Sequence, residues 1–136
     1  MMTFGEFQKE FFPDSIDLNE VQDAYTEYFK ENVAVGDGVT VCYWTDRNAG
    51  TVIKRTAKSL TIQQDKATLV PEFKPNFIVG GFAAHCTNQS EQKYTYAPNP
   101  DGRIFKAYWS EKKKGFYADK CLRVIAGRHE FYDYNF

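Results

Sequence analysis

The stretch from Gly36 to Asp65 constrains this chain more than any other. Val39, Val41 and Tyr43 alternate with Thr40, Cys42 and Trp44, the period of a half-buried strand. A polar break, Asp46-Arg-Asn-Ala-Gly50, follows and reads as a turn. Thr51–Thr56 forms the next strand. Leu60 and Ile62 alternate with Ser59, Thr61 and Gln63 in a third. Short strands in quick succession must hide their edges, and closing on themselves is the economical way. The expected fold is mainly β: an SH3-like small barrel with an extended β-hairpin, preceded by one or two amphipathic helices.

The chain on either side fits that frame. Phe4, Phe7, Phe11 and Phe12 recur at helical spacing, and Pro13 stops the run. Asp14 or Asp17 can cap a second helix, Glu20 standing in capping-box position after Asp17, and Leu18, Val21, Tyr25, Tyr28 and Phe29 lie on its apolar face. Residues 65–91 are less regular. Pro71 and Pro75 keep them out of a central strand, and Gly80-Gly81 marks a bend. Gln92–Ala97 and Arg103–Ser110 flank the turn Pro98-Asn-Pro-Asp-Gly102 and are expected to pair as a hairpin. Phe116-Tyr117 and Cys121–Ala126 are two further strands. The tail after Gly127 holds Phe131, Tyr132, Tyr134 and Phe136, too much aromatic surface to leave in water, so it packs or forms an interface. Two regions result: an acidic helical arm, 1–35, and a β domain, 36–136.

Charge separates the same two regions. Residues 1–37 carry nine acids and two bases; the remainder carries fifteen bases and nine acids. Such asymmetry fits a polyanion partner, two parts that face each other, or a solvated surface. No run of apolar residues is long enough to span a bilayer, so no membrane association is expected. The first ten residues lack the basic-then-apolar pattern of a secretory signal. Cys42, Cys86 and Cys121 are odd in number and widely spaced, which fits a reducing cytoplasm rather than a disulfide framework.

Catalytic signals are thin. His85-Cys86 are sequence neighbours, and neighbours on a strand point to opposite faces, so the pair is no ready nucleophile and base. Paired zinc ligands and a phosphate-cradling glycine loop are lacking, and no metal or cofactor is expected. Nucleic-acid binding has a better case, since single-strand binders join a basic groove to stacking aromatics. Trp44, Arg47, Lys54, Arg55, Tyr94, Tyr96, Lys106, Tyr108, Lys112 and Lys113 are the candidates. A sequence pI of about 6.1 weighs against a dedicated binder. Glu20, Asp23, Glu27 and Glu31 form an acidic stripe on the second helix that suits a basic partner.

Asp46-Arg47-x-Ala49-x-Thr51-Val52-Ile53 and Ile62-Gln-x-Asp65-Lys-Ala67 resemble small uncharacterised proteins of phages and prophages. So do Gly80-Gly81-Phe82 with His85-Cys-Thr-Asn88, the stretch Tyr94–Trp109, and the ending Gly127-Arg-x-Glu-x-Tyr-Asp-Tyr134. The resemblance covers roughly residues 36–136 and assigns no catalytic residues. It implies an accessory protein of a mobile element acting in the bacterial cytoplasm. The function expected is a non-catalytic binding module acting on a host protein or a nucleic acid, with inhibition of host defence an expectation that no residue here carries. The alternatives are a small enzyme using His85 and Cys86, or a virion or assembly component that self-associates through its aromatic tail.

Overall fold

The computed structural model describes residues 1–80 and 83–135. The second half of the Gly80-Gly81 bend, Phe82, and Phe136 of the tail lie outside the described residues. Two helices come first. Thr3 caps α1 (Phe4–Phe11): its hydroxyl accepts from Glu6 N–H at 3.2 Å, and the Glu6 carboxylate accepts from Thr3 N–H at 3.0 Å. Asp17 caps α2 (Leu18–Asn32), accepting from the N–H groups of Asn19 and Glu20. The reciprocal box expected at Asp17 and Glu20 is thus made at Thr3 and Glu6 instead. Phe7 sits among Phe11, Phe12, Tyr25 and Tyr28 with ring centroids 5.1–6.0 Å apart, which joins the helices. Leu18 is exposed, not part of the packed face, because helix contact begins one turn later at Val21.

Six strands close into an antiparallel barrel: β1 (Gly38–Cys42), β2 (Arg47–Arg55), β3 (Ser59–Gln64), β8 (Ile104–Ser110), β9 (Gly115–Ala118) and β10 (Leu122–Ala126), with β10 pairing back onto β1. This is the mainly β small barrel with two preceding helices that alternation implied. Val39, Val41, Val52, Leu60, Ile62, Phe105, Phe116 and Val124 fill it. One end is plugged by α2: Phe29 and Val33 join the barrel core, and the Phe29 ring meets Phe116 edge-on at 6.0 Å. Burying the Phe29 side chain contributes about 2–3 kcal/mol.

Two local departures reshape the surface. The stretch Asp46–Gly50 is mostly strand, since β2 begins at Arg47. Its glycine serves close packing and not a turn: a Cβ on Gly50 would stand 2.7 Å from Ile62 Cγ2 and 2.8 Å from Gln63 O. Further along, β2 carries a bulge between Val52 and Lys54. The extra residue, Ile53, turns outward, and the alternation after it reverses.

Between β3 and β8 the chain leaves the barrel. β4 (Lys66–Leu69) pairs with β7 (Tyr94–Ala97), and β5 (Phe77–Gly80) pairs with β6 (Ala83–Cys86). The hairpin expected between Tyr94–Ala97 and Arg103–Ser110 is therefore not formed. Both edges of β8 are taken, by β3 and β9, so β7 has no barrel edge to join. The tail returns over the excursion as a strap. Arg47 and Phe131 exchange both backbone hydrogen bonds at 3.0 Å. Gln92 does the same with Tyr132, and Asn135 with Cys86, using side-chain amides in place of a strand. Tyr134 lies between Phe73 and Phe77. The strap also buries Thr40 and Ala49, which face outward: Thr40 bonds Gly127 O and His129 N, and Glu130 accepts from Ala49 N–H. Among the described residues no helix is long and apolar enough to cross a membrane.

Candidate nucleic-acid interface

The outer wall of β8, β9 and β10 gathers cations around aromatic rings. Strand register fixes a lateral row: Cys42 faces Arg123, Arg123 faces Tyr117, Tyr117 faces Tyr108, and Tyr108 faces Ser59. The next row holds Lys54, Thr61 and Lys106. Directly opposed residues on neighbouring strands lie about 5 Å apart, so the Tyr117 and Tyr108 side chains rise side by side. Lys113 Nζ sits 4.9 Å from the Tyr117 ring centre, the Arg123 guanidinium 5.6 Å, and Lys106 Nζ lies 5.6 Å from Tyr108. Tyr108 is 56% exposed.

The acids in the turns that flank this wall, Glu111 and Asp119, are already engaged. Glu111 accepts from Lys114 Nζ and from Trp109 Nε1, and lies 3.9 Å from Lys30 Nζ. The Lys114 contact, then the indole, pull its carboxyl down to about 2. Asp119 sits 3.5 Å from Arg103, whose guanidinium also covers Phe105 and donates to Tyr43 Oη. Among the described residues no salt bridge includes Lys106, Lys113, Lys120 or Arg123. The wall therefore keeps four uncompensated positive charges in a chain whose formal net charge is −1.

Of the sequence candidates, the structure brings Lys106, Tyr108 and Lys113 together, with Lys54 two strands over, across β3. Lys112 is exposed in the β8–β9 turn, and Arg47 lies beyond Cys42 at the end of the row. Trp44 is 96% exposed in the turn after β1, so the chain leaves nearly its whole ring open to solvent. Three candidates go elsewhere. The β2 bulge turns Arg55 inward, where it donates to Lys30 O at 2.7 Å, lies 5.4 Å from Phe116 and leaves Nη1 buried without a partner. Its job is to hold the C-terminal turn of α2. Tyr94 and Tyr96 stand on β7, not beside Lys106 and Tyr108. Tyr94 Oη donates to Gln92, and burial pushes its phenol up to about 12; Tyr96 Oη accepts from Glu130 N–H. Both brace the strap. Tyr117, Lys120 and Arg123 were missed. The alternation of buried Phe116 with outward Tyr117 was present in the sequence, but the register that sets Arg123 and Tyr108 beside it was not.

Glu20, Asp23, Glu27 and Glu31 are all exposed along α2, and none takes part in a salt bridge among the described residues. His85 is exposed and Cys86 buried on opposite faces of β6. The Cys86 thiol points to Asn88 Oδ1 at 3.4 Å, while the His129 ring lies 3.1 Å from Ala126 O. Neither imidazole addresses the thiol. Among the described residues no three His, Cys, Asp or Glu side chains converge as metal ligands. Comparisons of the chain with protein-family models, with curated proteins and with solved structures give no match.

Proposed function

We propose that this protein is a non-catalytic binding module whose working surface is the outer wall of β8–β10 and whose partner is a single-stranded nucleic acid. One observation carries the reading: Lys106, Lys113, Lys120 and Arg123, in no salt bridge among the described residues, lie around Tyr108 and Tyr117, which stand opposite each other on β8 and β9. Backbone phosphates meet the cations and bases stack on exposed rings, with Trp44 available as a further platform. A phage or prophage accessory role in the host cytoplasm, directed against host defence, rests on the motif resemblance alone. Fluorescence anisotropy with a labelled single-stranded oligonucleotide tests the reading. Lys106→Glu combined with Lys113→Glu should weaken binding about tenfold or more. Equal affinity in that double variant removes this wall as the binding surface.

The unpaired acids of α2 favour a second reading, a host protein with a basic surface. In that case reversal of Glu20, Glu27 and Glu31 to lysine abolishes capture of the partner, while the Lys106 and Lys113 reversals leave it intact.

A further inference from the structure

A notch of about 180 Å³ opens in this wall between Tyr108, Trp109, Ser110, Lys113, Tyr117 and Lys120. We infer that it is a discrete subsite for one phosphate group; the inference rests on the nucleic-acid reading above and deepens it.

Size sets the class of ligand. The notch equals about six waters at roughly 30 Å³ each, and lies well below the ~300 Å³ at which pockets begin to hold whole small molecules. It fits a functional group, not a nucleoside. Its chemistry sets the charge, for every side-chain polar group on the lining can donate, the Trp109 indole N–H alone being already given to Glu111. Lys113 and Lys120 bring ammonium groups. Ser110 Oγ accepts from Lys113 N–H at 3.1 Å, which leaves its own proton free. Tyr117 Oη accepts from Arg123 Nη1 at 2.8 Å, which frees its proton likewise. No carboxylate lines the notch, and Glu111 and Asp119 at its margins are held by Lys114 and Arg103.

The β9–β10 turn fixes where Lys120 stands. Asp119 and Lys120 have φ of 49° and 66°, and Cys121 N–H closes the turn onto Ala118 O at 3.2 Å. A two-residue hairpin turn of this kind needs positive φ at both central residues, where asparagine, aspartate and glycine are the ordinary occupants. Here a lysine is held in the left-handed region at the rim of an all-donor notch.

The test uses the full chain labelled with ¹⁵N, inorganic phosphate as probe, and short oligothymidylates with a 5′-hydroxyl or a 5′-phosphate. Phosphate should shift the amides of Ser110, Lys113, Tyr117 and Lys120 saturably, and Lys113→Ala with Lys120→Ala should weaken it about tenfold. Both oligonucleotides binding equally and displacing phosphate identifies an internal phosphodiester. Tighter binding of the 5′-phosphorylated strand identifies a terminal phosphate. Oligonucleotide binding that Lys106→Glu weakens but the Lys113, Lys120 double variant does not, with no phosphate shifts, overturns the subsite and leaves the wall as the interface. Saturable phosphate shifts without any oligonucleotide binding keep the subsite and overturn the nucleic-acid reading.

Discussion

Lys120 concentrates in one residue the tension between holding the fold and presenting charge. Its left-handed φ of 66° costs about 1–2 kcal/mol that a glycine does not incur. Lys120→Gly should therefore raise stability by about 1 kcal/mol in urea denaturation and weaken oligonucleotide binding in the same preparation. A variant that gains stability and keeps its affinity would show that the lysine is only tolerated there. Glu130 behaves differently. Burial first, then the charges of Asp65 and Asp46, push its carboxyl upward, against the Ala49 N–H bond that pulls it down. A group raised in the folded state gives stability that is complete below its unfolded value and is lost as pH climbs through the folded one. Glu130→Gln keeps an acceptor for Ala49 N–H and has no charge to desolvate. Its stability relative to the parent should improve as pH rises from the ordinary carboxylate range toward neutrality, measured by thermal melts across pH. At this scale the sequence was legible wherever alternation ran unbroken, as at Tyr108 and Lys106. It was misleading after Ile53, because a bulge is a pairing event and leaves no mark in the alternation itself.

The elements divide into those that make the barrel and those tied to it. α2 belongs with the first: Phe29→Ala should cost about 3–5 kcal/mol, because the ring fills the barrel end against Phe116. The strap belongs with the second. Asn135→Ala removes both bonds to the Cys86 backbone, a loss of about 1–3 kcal/mol confined to the excursion. Limited proteolysis should then cut within residues 66–102 while hydrogen exchange in β1–β3 stays slow. Uniform acceleration across the barrel would mean that strap and barrel unfold as one unit. The aromatic tail announced that it packs somewhere, since rings in water are costly, but its target was hidden. The Gln92–Tyr132 and Asn135–Cys86 clasps join residues 40 and 49 positions apart. The expected hairpin at Pro98–Gly102 failed for a related reason: the turn forms, with Gly102 N–H on Asn99 O at 2.8 Å, but partner choice belongs to the closed sheet and not to the turn.

For the whole molecule, the near-zero net charge conceals two fields of opposite sign, the α2 stripe and the β8–β10 wall. Binding to a single strand should show a salt slope near −0.7 per neutralised phosphate, about −3 if the four wall cations each meet one. A flat salt response would point to apolar contacts instead. The barrel and its preceding helices were readable because alternation and capping are local. The excursion's pairing, the strap and the β8–β10 wall all depend on contacts between distant positions. One of those contacts bears on how such a chain can change. Gln64 N–H bonds Arg103 O at 2.8 Å, and Gly102 packs so closely on Gln64 O that a Cβ there would fall 2.1 Å away. The end of β3 and the start of β8 are therefore adjacent, and residues 65–102 begin and finish at one doorway. A lineage can lengthen, shrink or replace that detour without redrawing the barrel, provided the replacement offers the strap something to hold. Chimeras that exchange the detour and strap together should fold, while exchange of the detour alone should leave the strap without its clasps, so the two act as one replaceable part on a fixed barrel.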